Sequence, residues 1–235
     1  MTNNFSGLAA DSERAYLSTG SFIYAVDVKT GKQIWKYPED ANKEFLYYAK
    51  PVLTEDGQLL IGSAGTKHAF ISLDPTTGQE KWAEPFSGAQ GTWVASPLVF
   101  NNVIYAPNTD GYLYILDMSG NQMVDPILLG GALWSAPVTD GEYIYINSLD
   151  HHLHILNLQT YELTTPIDLG GAAPSSAALG NEGVYVGSFA SDVKFISANG
   201  ENEVIASASD WIWGTPALDG ETLYYADLGG NIFFT

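Results

Sequence analysis

Six copies of one motif recur at intervals of 39 to 45 residues along the 235-residue chain. Each copy holds four short β-patterned runs separated by turn residues, and apolar residues nowhere recur at helical spacing. Together these observations predict an all-β fold: a β-propeller of about six four-stranded blades, the last one incomplete.

The repeats justify each element in turn. Strand-forming segments close on Tyr16, Leu60, Tyr105, Tyr145, Tyr185 and Tyr224, with spacings of 44, 45, 40, 40 and 39. In the clearer copies a Pro opens the first strand, as in Ser96-Pro97-Leu98-Val99, Ala136-Pro137-Val138 and Thr215-Pro216-Ala217. A turn such as Asp110-Gly111 then leads into an alternating strand, here Tyr112-Leu113-Tyr114-Ile115-Leu116. The strand ends on Asp27, Asp74, Asp117, Asn157 or Ser197. A side-chain oxygen there can accept a backbone N–H two residues on and start a turn. Gly31, Gly78, Gly120 and Gly200 follow and supply positive φ. In the fourth copy either Tyr161 takes the glycine position or a residue is missing. The tails Thr30-Gly31-Lys32-Gln33-Ile34-Trp35 and Thr77-Gly78-Gln79-Glu80-Lys81-Trp82 place Trp35 and Trp82 on outer strands. The chain reads as a single domain, 1–235, with repeats at about 5–36, 47–84, 93–126, 134–166, 173–206 and 213–235.

Composition narrows the function classes. Hydrophobic residues make up 46% of the chain, ample for a core, and the 24 glycines suit tight turns. No stretch approaches the roughly 18–20 apolar residues of a membrane helix, so membrane insertion is not expected. Met1 to Ala10 lack the basic and apolar regions of a signal peptide. Nine basic residues against 27 acidic ones give a net charge of −18, which repels nucleic-acid backbones and anionic headgroups. There is no cysteine, which removes disulfides, thiolate metal sites and cysteine nucleophiles.

The pattern Pro-Val…Asp-Gly…Tyr-Val-Gly-Ser…Asp-Gly…Leu-Tyr…Leu-Asp…Thr-Gly…Trp resembles the pyrroloquinoline-quinone-like repeat, over about residues 5 to 235. The resemblance implies one of two kinds of protein. Quinoprotein dehydrogenases use such repeats to hold a quinone; scaffold lipoproteins of outer-membrane assembly use them without a cofactor. In the dehydrogenases the resemblance implies an adjacent cysteine pair, a stacking tryptophan, calcium ligands and an aspartate base. This chain has no cysteine and is far shorter, so no cofactor is expected. Members usually have seven or eight blades, and the last copy stops midway through its third strand. The expectation is a fragment lacking one or two blades, the alternative being a six-bladed ring with an imperfect seam.

No nucleophile elbow, zincin motif or phosphate-binding loop is present. The aspartates Asp11, Asp27, Asp56, Asp74, Asp110, Asp117, Asp140, Asp150 and Asp219 fall on repeat turns, which accounts for them without catalysis. His152 and His154 of Asp150-His151-His152-Leu153-His154 share one strand face and are candidate metal ligands. But Asp150-His151 aligns with the turn Asp110-Gly111, and His154 with the strand residue Tyr114.

The aromatics before the repeat prolines are the candidate binding residues. Trp93, Trp134 and Trp213 precede Pro by three or four positions, and Tyr47 and Tyr48 occupy the same place in the second copy. Phe5 is near it in the first, and Pro174 breaks the series in the fifth. In a propeller these positions enter the innermost strands. Tyr48, Trp93, Trp134 and Trp213 would then rim one mouth, as a funnel for a peptide, a saccharide or a partner loop, unless the rings pack between blades. The expected function is a non-enzymatic binding or scaffold propeller outside the cytoplasm, taking a protein or small polar ligand at its mouth. The alternatives are a quinone-dependent oxidoreductase, or a fragment of one, and the sensor domain of a larger receptor.

Overall fold

The computed structural model describes residues 7–235; the expectations placed on Asn4, Phe5 and Ser6 lie outside them. The chain forms two compact units, Met1–Ile127 and Leu128–Thr235. Among the described residues there is no helix, and the strands form six antiparallel sheets of three or four strands.

In the first unit, sheet one is β1 (Leu8–Ala10), β2 (Arg14–Thr19), β3 (Phe22–Asp27) and β4 (Gln33–Tyr37), in that order. Sheet two is β5 (Val52–Leu53), β6 (Leu59–Gly62) and β7 (Phe70–Leu73). Its expected fourth strand is reduced to two isolated bridges, Phe70 with Phe86 and Leu73 with Glu80. Sheet three runs from β8 (Leu98–Phe100) through β9 (Val103–Pro107) and β10 (Tyr112–Asp117) to β11 (Ile127–Leu128).

In the second unit, sheet four is β12 (Val138–Thr139), β13 (Tyr143–Asn147), β14 (His152–Asn157) and β15 (Ile167–Asp168). Sheet five is β16 (Ala178–Leu179), β17 (Gly183–Gly187), β18 (Asp192–Ser197) and β19 (Asn202–Ser207). Sheet six has three strands, β20 (Ala217–Asp219), β21 (Thr222–Ala226) and β22 (Ile232–Phe234). Each sheet is a blade whose strands pair with their sequence neighbours, as the short turns require.

The central strands of sheets one and six alternate, while those of sheets two to four are buried along most of their length. Ile104-Tyr105-Ala106-Pro107 and Ile144-Tyr145-Ile146-Asn147 are examples, which is why they read as short continuous apolar runs. The core lies between successive blades of each unit. Tyr16, Ile23 and Trp35 of sheet one meet Leu59, Ile61 and Ile71 of sheet two. Leu60 and Phe70 meet Ile104, Tyr114 and Leu116. In the second unit Leu153 and Ile155 meet Val184 and Ile196, and Val193 meets Leu223 and Tyr225. Each such side chain contributes about 1.5–3 kcal/mol when fully buried.

The turn residues act as their chemistry requires. Asp27, Asp74, Asp117 and Asn157 each accept the N–H two residues on, at 2.8–3.1 Å. At Ser197 the hydroxyl instead donates to Asn199 Oδ1 and, at 3.2 Å, to the Glu201 carbonyl. Tyr161 does take the glycine position, with φ of 56°. The recurrent Gly…Trp tail also has a reason. Trp35 Nε1 donates to the Pro75 carbonyl at 2.9 Å, and its ring covers Gly78 so closely that a Cβ there would meet it at 2.7 Å. Trp82 repeats this one blade on, with the Met118 carbonyl at 2.9 Å and Gly120.

Candidate functional site

The aromatic positions sort by their distance from Pro. Before the first strands burial changes from residue to residue, as from Leu133 to Trp134 to Ser135. Four residues before Pro stand Tyr47, Trp93, Leu133 and Ile212, with Ala173 equivalent in the fifth repeat; all are at most 2% exposed. Three residues before Pro stand Tyr48, Val94, Trp134 and Trp213, with Pro174 equivalent. Trp134 and Trp213 are 44% and 41% exposed, and Tyr48 is half-buried.

Trp93 is therefore the counterpart of Ile212 and not of Trp134 or Trp213. Its N–H donates to the Ser63 carbonyl at 3.1 Å, as that of Ile212 does to Ser188 at 3.1 Å. The ring packs on Phe70, Tyr114 and Phe86, with centroids 5.1, 5.5 and 6.2 Å away. Trp93 is a core residue between two blades of the first unit.

In the second unit the exposed Trp211 and Trp213 form a ledge with the half-buried Phe189. Phe189 stands on the turn between β17 and β18, and Trp211 and Trp213 on the segment that enters β20. Phe189 stacks on Trp211 at 4.8 Å and 14°, and meets Trp213 at 5.4 Å and 38°. Trp211 is 51% exposed. Its carbonyl accepts the Leu228 N–H at 2.9 Å, and its own N–H donates to Asp210 Oδ1 at 2.7 Å. Asp227 accepts from the Asn231 N–H and side-chain amide at 2.9–3.1 Å and from Ser209 N–H at 3.2 Å, and these donors hold its carboxyl below the usual range.

Phe189 and Trp211 were not singled out from the sequence. By repeat position Phe189 corresponds to Leu149 and Ala64, and Trp211 to Ala172 and Thr92. The same backbone bond joins these two sets of positions in the second to sixth repeats, from Ala64, Thr109, Leu149, Phe189 and Leu228 to Leu46, Thr92, Ala132, Ala172 and Trp211. The fold is thus built without an aromatic pair here, and the pair is an addition to it. Trp211 stands out against Thr92, Ala132 and Ala172 at its repeat position, whereas Phe189 does not stand out against Leu149 and Leu228.

His152 and His154 do lie on one face of β14. Asp150 Oδ1 is 3.5 Å from His152 Nδ1 and 3.8 Å from His154 Nε2. His152 Nδ1 also lies 2.9 Å from the Asp150 carbonyl, while neither ring nitrogen of the buried His154 has a hydrogen-bond partner. Among the described residues no group of three His, Asp or Glu side chains could hold a metal ion. His151 adopts φ of 75° in the turn, where Gly111 has 87°.

Charge is divided unevenly. Residues 128–235 carry thirteen acidic side chains and one basic one, Lys194, whose Nζ donates to the Asp168 carbonyl at 2.9 Å. Among the described residues no helix is long and apolar enough to cross a membrane.

Six antiparallel blades of this repeat, with aromatic positions standing clear of the core, define a β-propeller of the pyrroloquinoline-quinone-like class. Residues 5–163 match the family model described as outer membrane protein assembly factor BamB, and the chain belongs to that family. The fold is similar to the crystal structure of BamB from Moraxella catarrhalis, with a TM-score of 0.72 and 18% identity over 97% of this chain and 70% of that one. It is also similar to the computationally designed Ika8 protein, with a TM-score of 0.66 and 13% identity over 97% of this chain and 82% of the design. No curated protein matches the sequence.

Proposed function

We propose that this chain is a non-enzymatic binding or scaffold propeller that works outside the cytoplasm and holds a protein partner against its exposed aromatics. The carrying observation is that Trp134, Trp213 and Trp211 are 41–51% exposed at positions where the fold elsewhere uses Val94, Pro174 or Ala172. Exposed Trp at rigid positions is the usual anchor of a protein interface. A family described by outer-membrane protein assembly supports the extracytoplasmic setting and the scaffold role.

The test is site-specific photocrosslinking in the native host, with p-benzoyl-phenylalanine at Trp134, at Trp213 and at the outer-strand control Val204, itself 54% exposed. Both tryptophan positions should capture the same protein, and Val204 should not. Trp134→Ala should abolish capture while leaving stability within about 0.5 kcal/mol. A stability loss on the order of 3 kcal/mol without any crosslink would make these rings packing residues. Turnover of an alcohol on addition of quinone and calcium would overturn the non-enzymatic reading.

A further inference from the structure

Resting on that reading, we propose that the Trp211–Phe189–Trp213 ledge, with Asp210 beside it, is a subsite for an arginine side chain of the protein partner. Three observations carry this. The rings are offered to solvent as a stacked pair with a third ring tilted against it, and the fold does not require them. A planar guanidinium stacks on such faces and pairs with a carboxylate at their edge. A carboxylate is at hand: the exposed Asp210 precedes Trp211 and accepts its backbone N–H, and Asp210 and Asp227 both approach Gly229.

The chain's own cations make the second point. In the first unit two of its eight cations cover ring faces: Lys36 Nζ lies 4.7 Å from the Phe22 centroid, and Lys67 Nζ 5.9 Å from Phe45. In the second unit the sole cation, Lys194, is engaged at Asp168, so none of its own covers the ledge. Aromatic faces therefore stand open in a unit of thirteen carboxylates and one cation. Such a field draws a basic segment and repels an acidic one. The same charge argues against a neutral saccharide as the ledge's occupant, since sugar stacking gains nothing from it.

The experiment is titration of the full chain, at low and moderate salt, with three peptides of equal length: tetra-arginine, tetra-lysine and tetra-citrulline. Trp fluorescence and calorimetry give the affinities. Tetra-arginine should saturate and outbind tetra-citrulline by about tenfold or more, with tetra-lysine between them. Asp210→Asn and Trp211→Ala should each lower arginine affinity by about tenfold, and added salt should weaken it further. Val204→Ala, an exposed change on the outer strand β19, should leave it unchanged. Equal binding of citrulline and arginine would overturn the proposal, as would full affinity in Trp211→Ala or tight binding of a neutral oligosaccharide at the ledge. If no peptide binds while Trp213 still crosslinks to a partner, the guanidinium subsite falls and the scaffold reading stands.

Discussion

Trp93 stands on Gly62: a Cβ built at Gly62 would fall 2.1 Å from Trp93 Cβ and 2.4 Å from its Cγ. Ile212 stands on Gly187 in the same way, with its Cγ2 2.4 Å from where a Cβ would be. Neither glycine has positive φ, so the requirement is steric and not conformational. Gly62→Ala and Gly187→Ala should each cost about 1–3 kcal/mol through overpacking. Gly214→Ala, with nothing within 4 Å, should stay within about 0.5 kcal/mol. Urea midpoints measured on the three variants check this, and a neutral Gly62→Ala would mean that the two blades can part without cost.

At His151, Ser191 (φ of 64°) and Tyr161, turns are held by side chains where the repeat elsewhere uses glycine. His151 has φ of 75° where Gly111 has 87°, and Tyr161 has 56° where Gly31, Gly78 and Gly120 have 67–84°. The left-handed region costs a non-glycine residue about 1–2 kcal/mol. Glycine recovers part of this and returns part through the unfolded chain. His151→Gly and Tyr161→Gly should therefore each stabilise by about 0.5–1 kcal/mol, seen as a raised melting temperature. A fall in either would show that the side chain makes a contact outweighing the strain.

These turns show why so much of the fold was legible in the sequence. Asp or Asn followed by glycine at a fixed offset is a local signal, and it locates both hairpin ends without knowledge of the partner strand. The blade edges were less legible. The fourth strand of the second blade looks complete through Trp82, yet only Phe86 and Glu80 bridge across to β7. Pro85, which lacks an N–H, interrupts the run between them. The site was legible only in part. Trp93 and Trp134 look equivalent until one counts four residues to Pro97 and three to Pro137, and one residue reverses the face. The stack of Phe189 on Trp211 joins two blades, and no local pattern announces it.

Tyr145 Oη donates to Asp140 Oδ2 at 2.7 Å, and Tyr16 Oη to Asp11 Oδ2 at 2.7 Å, so in these two blades the strand tyrosine seals its own turn. Burial alone would raise Asp140, but donors from the Tyr143 N–H, Tyr145 Oη and the Glu142 N–H outweigh it and hold the carboxyl below its ordinary value. A depressed carboxyl stabilises the fold above the unfolded value near pH 4, and that stability is lost as pH falls through the folded one. Tyr145→Phe should cost about 1.5–3 kcal/mol at pH 7. The gap to wild type should narrow in urea titrations at pH 3, and a gap independent of pH would assign the loss to packing. Burial and the Asp11 carboxylate push the Tyr16 phenol up to about 12, so its contribution survives until strongly alkaline pH.

His154 occupies the place that Tyr114 fills one repeat earlier. Tyr114 Oη donates to Asp110 Oδ2 at 2.8 Å, whereas His154 Nε2 stops 3.8 Å short of Asp150 Oδ1 and both ring nitrogens are unpaired. Burial lowers the pKa of His154 from 6.5; Asp150 opposes this, and His152 adds to it. The unfolded chain then takes up the proton at higher pH than the folded one. The stability is complete above the unfolded value and falls as pH drops below it. His154→Tyr should place a hydroxyl in reach of Asp150, as Tyr114 does for Asp110. It should gain about 1 kcal/mol at pH 7 from the new hydrogen bond. Between about pH 7 and 5 the variant's stability should be nearly flat where wild type declines. Chemical denaturation across that range reads both effects. An unchanged decline in His154→Tyr would overturn the assignment of this pH dependence to His154.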